Sequence, residues 1–299
     1  LIAPIALLIA PVAASAQFAR GDESWAASAV EGARAVLAAR PAAIPQKPAS
    51  VSDEDALRAA MIARLKRNPV AAEFAVPILE EKDGGVSIEI RSEAEDPGLK
   101  GAWAQYQHKS DSRVFVLNRD AIDQDLSEPL NPGVPSARQL ELLADRYLPV
   151  IVHEIGGHAR HYEQLAKILG KSAPNVRETE TNALRLEAMA TAEERKTNPA
   201  YLRDDKEFAK GESALVDKYW ESKEKGDPGI FSDYVDGVSG YAKIPSAFAG
   251  DCGESPVAAF YRGEQKTLIE ADRRIVGDDP PDDEIGINRR ETFGSGLRR

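Results

Sequence analysis

The sequence predicts an α+β domain, mainly helical, in which a small β-sheet packs on a histidine-bearing helix that is followed by a glutamate-bearing helix. Three observations carry this prediction. Apolar residues at helical spacing, with recognisable start and stop signals, recur through most of the chain after residue 51. Short aromatic and β-branched segments lie between residues 86 and 118. Three of the four histidines fall within nine residues, His153-Glu-Ile-Gly-Gly-His158-Ala-Arg-His161.

Taken in chain order, Leu1 to Ala16 is mostly Leu, Ile, Ala, Val and Pro and ends Ala14-Ser15-Ala16. This matches the apolar region and small-residue cleavage site of a signal peptide cut after Ala16, which places the mature protein in a periplasm or outside the cell. Residues 17–50 hold a helix, Asp22 to Arg40, and a Pro- and Ala-rich linker, Pro41 to Ser50. The main domain spans 51–275. It opens at Ser52 with a helix whose first turn holds Asp53, Glu54 and Asp55, matching the helix dipole.

Val86 to Arg91 reads as a strand, and Gly101 to His108 with Arg113 to Asn118 as a hairpin around Lys109-Ser110-Asp111-Ser112. After a loop over Asp120 to Pro135, Ser136 caps a helix over Ala137 to Tyr147. Pro149 then suits the first turn of the histidine helix, which stops at Gly170. Further helices are expected from Arg177, over Asp204 to Lys225, and over Pro256 to Glu270, with a turn-rich stretch from Gly226 to Ser239. Residues 276–299 read as a flexible tail with an acidic run.

A chain of 299 residues can bury one substantial core with accessory segments, or two small domains. Its net charge of −11 argues against a nucleic-acid partner. The single cysteine, Cys252, has no partner for an intrachain disulfide and reads as a buried side chain. After signal removal no stretch is long and apolar enough for stable membrane insertion.

The histidine cluster carries the chemistry. Two neutral imidazoles on one helix can hold a metal ion, and a carboxylate beside the first can take a proton from metal-bound water. In the widespread HExxH motif the histidines are four apart, about 40° around the axis, whereas five apart puts them about 140° apart on a regular helix. A straight helix cannot converge both rings on one ion. Gly156 and Gly157 lie inside the interval, where a bulge absorbing one residue restores a shared face. A regular helix offers a rival set, Glu154, His158 and His161, within about 60° of one another, with His153 behind it.

The six residues His153-Glu-Ile-Gly-Gly-His158 resemble the HExxGH motif of the dipeptidyl peptidase III family, a variant of the zinc metallopeptidase helix. The resemblance implies that His153 and His158 bind Zn2+ and that Glu154 is the catalytic base. It covers the motif alone. A catalytic zinc also needs a third protein ligand and an open position for water. The helix from Arg177 offers Glu178, Glu180 and Glu187, and resembles the glutamate-bearing second helix of gluzincins. Glu180 is favoured because Ala183 matches the small residue of such helices. Glu178 is the alternate because Asn182 echoes their Glu-x-x-x-Asp arrangement.

These features together imply a zincin-like core and an exported zinc-dependent hydrolase, a peptidase acting on peptide or protein substrates. Glu154 would accept the proton of activated water and return it to the leaving amine. Arg113 to Asn118 has two readings, an edge strand that binds substrate backbone or an ordinary core strand with no substrate contact. His161, His108, Tyr234 and Tyr241 are candidate oxyanion donors, with His161 also a candidate support for the ligands. Two other readings stand beside this one: a catalytically inactive metal-binding relative, and a secreted binding or structural protein whose histidines are ordinary helix residues.

Overall fold

A computed structural model describes residues 51–81, 85–109, 112–127, 137–170, 173–199, 201, 208–237, 243–249 and 255–277. The expected signal segment, first helix, linker and nearly all of the tail lie outside these residues, as do Tyr241 and Cys252. The described part is mainly helical with one three-stranded sheet, in keeping with the α+β expectation. Among the described residues no helix is long and apolar enough to cross a membrane.

Helix α1 (Val51–Arg67) buries Leu57, Met61 and Leu65, spaced four apart on one face, against α5 (Ala137–Ile151). Asn68 then caps α2 (Pro69–Phe74), accepting from the Ala71 amide, while Pro69 fills the first turn where its missing N–H costs nothing. The short α3 (Val76–Leu79) leads to β1 (Ser87–Arg91). A hairpin follows, β2 (Ala104–Lys109) and β3 (Ser112–Asn118), and then α4 (Arg119–Ser127).

The sheet order is β1-β3-β2, with β3 parallel to β1 and antiparallel to β2. Arg113 to Asn118 is therefore central, which fits the core-strand reading and rules out the edge reading. The reason lies in its run Val114, Phe115, Val116 and Leu117, all buried, which needs cover on both faces. The edge beside the histidine helix is β2.

A second correction concerns Pro149. It does not start a new helix; α5 runs through it and continues without a break to Leu169. A proline there withholds the N–H that would bond the Asp145 carbonyl four residues back. The Tyr201 hydroxyl donates to that carbonyl instead, at 2.6 Å. After the histidine segment, α6 (Arg160–Leu169) ends at Gly170, whose φ of 62° is the left-handed cap expected there.

Helix α7 (Arg177–Thr197) packs along the histidine segment, and α8 (Phe208–Lys225) packs on α7. The stretch expected to be turns contains α9 (Pro228–Gly237). Its start signal is Asp227, whose carboxylate accepts the Gly229 amide ahead of an N-terminal proline. Last comes α10 (Pro256–Ile275), capped by Ser255 and longer than expected. Buried Arg64 of α1 ties the layers together through Asp145 of α5 and Glu194 of α7.

Candidate metal centre

The residues Val152–Ala159 are wound as a π-helix, and every one of them is buried. Its hydrogen bonds reach five residues back, as from the Arg160 N–H to the Ile155 carbonyl, so side chains five apart stack on one face. The extra residue is thus spread over the whole segment. His153 and His158 come together, with their Nε2 atoms 3.1 Å apart and ring centroids 4.9 Å apart.

Glu180 of α7 supplies the third side. Its Oε2 lies 3.8 Å from His153 Nε2 and 3.5 Å from His158 Nε2. Ligands at about 2.0–2.1 Å around a tetrahedral zinc are separated by about 3.3 Å, so these three distances suit a metal of that size. The buried His153, His158 and Glu180 group can hold a metal ion.

The approach of the two helices depends on Gly157. A Cβ there would lie 2.4 Å from Ala183 Cβ and 2.7 Å from Ala183 Cα. Gly156 faces Phe74, whose Cβ is 3.4 Å from where its own Cβ would stand, which is ordinary contact. Gly157 and Ala183 therefore let the α7 backbone come close enough for Glu180 to reach the histidines.

Glu187, two helical turns beyond Glu180 on α7, contacts His153 Nδ1 through Oε2 at 2.8 Å. The imidazole donates Nδ1–H to this carboxylate, which leaves the Nε2 lone pair facing the centre. Without a cation, two Nε2 atoms 3.1 Å apart must share a proton. Burial opposes a charge on either ring, but Glu180 and Glu154 raise His158 to about 9, while burial and His158 lower His153 to about 4. The proton belongs to His158, and a metal would displace it.

Carboxyl groups crowd the same volume. Burial raises Glu154 above the ordinary carboxylate range, and pushes Glu187 up to about 7 with help from Glu154 and Glu180. Burial and Glu187 raise Glu212 of α8 well above that range. So much buried negative potential is offset well by a divalent cation.

Glu154 stands apart from the ligands. Its Oε2 accepts the backbone N–H of Tyr106, on the β2 edge, at 3.2 Å. The straight-helix set of Glu154, His158 and His161 is not assembled, because the helix is not straight. Nor is Glu178 at the centre: its carboxylate accepts from the Ser246 hydroxyl and the Ala247 amide.

His161, a candidate oxyanion donor, has its Nε2 engaged by Glu264 at 3.2 Å, beside the Arg160–Glu264 ion pair. Its ring packs edge-on against Phe260 and Tyr261. Tyr234, on α9, has a buried hydroxyl with no hydrogen bond among the described residues, and Glu187 and Glu212 reinforce the effect of burial in raising it. The sequence missed the parts played by Glu187 and Glu212. The seven-residue spacing from Glu180 to Glu187 put both on one face and was the available signal for the first.

His161 yields a test of acid stability. Burial lowers it to about 4, with Arg160 adding to the effect, and its Nδ1 is buried with no hydrogen bond among the described residues. The unfolded chain, with an ordinary value near 6.5, takes the proton first. This contribution is complete above pH 6.5 and is lost as the pH falls toward 4, on the order of 3 kcal/mol over that window. Denaturant titrations of the metal-free protein should show an acid slope that His161→Gln reduces. An equal slope in both would contradict a neutral buried imidazole.

No protein-family model, curated protein or solved structure matches the chain, so its function has to be read from this geometry.

Proposed function

We propose that the protein is a zinc-dependent amide hydrolase, most simply an exported peptidase, with His153, His158 and Glu180 as ligands and Glu154 as general base. The observation that carries this reading is the π-wound segment. It brings two histidines five apart onto one ligand face and leaves the intervening glutamate off that face, against a sheet edge. Zinc bound there would acidify a water molecule and polarise a carbonyl. Glu154, raised by burial and steadied by the Tyr106 amide, is suited to accept a proton and return it to a departing amine.

Strand β2 supports a peptide substrate. Its outer edge faces the histidine helix, and strand alternation aims the amide of His108 the same way as that of Tyr106. An extended peptide laid along this edge would present its backbone to the ligand cluster.

One observation favours a second reading, a metal-holding protein without turnover. His153, Glu154 and His158 are 3%, 3% and 5% exposed and Glu180 is 0%, whereas a catalytic ion must be reached by water and substrate.

Metal analysis with a peptide-library assay separates the two. Purified wild type should hold one zinc per chain. His153→Ala, His158→Ala and Glu180→Ala should lose it, while Glu178→Ala and His161→Ala keep it. Zinc without hydrolysis would support the second reading. Absence of zinc from wild type, even after loading, would overturn both.

A further inference from the structure

The π winding stops at Ala159, and the stop leaves one backbone group over. Arg160 N–H makes the last five-back bond, to the Ile155 carbonyl, and is shared with the Gly157 carbonyl. Helix α6 begins there, and an α-helical N–H reaches four residues back, which directs His161 N–H to Gly157. The Gly156 carbonyl is passed over. Gly156 is buried, and a buried carbonyl without a donor costs as much as a lost hydrogen bond.

Arg160 supplies the donor from its side chain, with Nε–H bonding the Gly156 oxygen at 3.1 Å. The guanidinium is held in place from two other elements. Glu264 of α10 accepts from its Nη2 and also engages His161 Nε2 at 3.2 Å, while Arg160 Cζ lies over the Phe74 ring of α2, 4.9 Å from its centroid. Phe74 is also the residue that faces Gly156. An ion pair that only fastened α10 to α6 could be made with a terminal nitrogen alone; the Nε bond adds the π segment to it.

Where the winding stops decides where His158 points. An end that slid back past His158 would return part of the interval between the histidines to α winding and swing the two rings apart. Because the carbonyl that is passed over moves with the end, a fixed donor at Gly156 fixes the end. We infer that Arg160 is a positioning residue for the metal centre, donating Nε–H to the Gly156 carbonyl and so pinning the end of the π winding with His158 in phase with His153. This rests on the metal-site reading above but not on catalysis. It makes α10 and α2 part of the support of the site.

The test compares two double variants that share Glu264→Met, so that no charge is left buried alone. With Arg160→Gln the amide nitrogen takes the place of Nε along the side chain and can donate to Gly156; with Arg160→Met a methyl group stands there. Zinc affinity, measured by competition with a chromophoric chelator, should stay within about threefold of wild type for the Gln double variant and fall at least about tenfold for the Met one, as when support behind a ligand is lost. The visible absorption of the cobalt-loaded protein should shift for Met and not for Gln. Equal affinities and spectra in the two double variants would overturn the inference while leaving the metal site intact. NMR of the metal-free wild type needs no variant: Arg160 Nε–H should exchange slowly with solvent and show scalar coupling across the hydrogen bond to the Gly156 carbonyl carbon. Fast exchange without that coupling would overturn the inference even if neither double variant folds. Failure of wild type to bind zinc would remove the site reading and this inference together.

Discussion

Glu154→Gln is expected to lower hydrolysis by about 10²–10⁴-fold, the usual worth of a positioned general base, while zinc content stays at the wild-type level. The two results separate because Glu154 lies outside the ligand group and contacts the Tyr106 amide instead. A glutamine carbonyl can accept that same N–H, so the side chain should keep its place. Burial already disfavours the Glu154 charge, so a neutral replacement of equal size should not unfold the protein. Loss of zinc would show Glu154 to be a ligand and would return the straight-helix set to consideration. Retained zinc with unchanged turnover would remove Glu154 from the chemistry.

Gly157→Ala is expected to cost about 1–3 kcal/mol of stability through overpacking, and to weaken zinc binding by tenfold or more. The new methyl group would stand 2.4 Å from Ala183 Cβ, and neither atom has a torsion that could move it aside. The helices must part. Glu180, three residues before Ala183 on α7, would then draw back from both histidines. Gly156→Ala meets Phe74 at 3.4 Å and removes a helix-interior glycine, worth up to about 1 kcal/mol, so it should be near neutral. Thermal melting and zinc titration of the two variants check this. Ala183→Gly placed on top of Gly157→Ala should restore part of both losses, and strict additivity in that double-mutant cycle would refute the contact. Equal effects at the two glycines would do the same.

Much of this site was legible in the sequence because it depends on spacing. Histidines five apart demanded a distortion, paired glycines marked where the backbone could accept it, and Ala183 marked a close approach. The distortion proved to be continuous π winding, since i→i+5 bonding over two turns satisfies backbone groups that a single bulge would strand. Which acid of α7 stands beside the two histidines depends on how that helix packs. Glu178 and Glu180 lie about 200° apart around α7, so only one of them can face the histidines; that one is Glu180, and Glu178 accepts from Ser246 and Ala247 on another side.

Other features could not be read locally. Whether β3 is an edge depends on β1, paired to it from a distant part of the chain, although its unbroken apolar run was a hint. Pro149 looked like a helix start because its replacement hydrogen bond comes from Tyr201, more than fifty residues later. Asp227-Pro228-Gly229 reads equally as a turn or a helix start, and packing of Phe231 and Val235 decides for the helix. Glu212 had no motif around it at all.

The unbroken helical rod from Ala137 to Leu169 has a consequence for how such a site tolerates change. One surplus residue in a uniform α-helix would rotate everything beyond it by about 100°. Here the surplus is absorbed between two ordinary segments, so α5 keeps Leu143, Tyr147 and Ile151 inward while α6 presents Arg160 and His161 to Glu264. The ligand spacing and the rod's two packing faces are thereby uncoupled. The π-wound segment works as a phase adjuster, joining two stretches of helix that would otherwise be out of step.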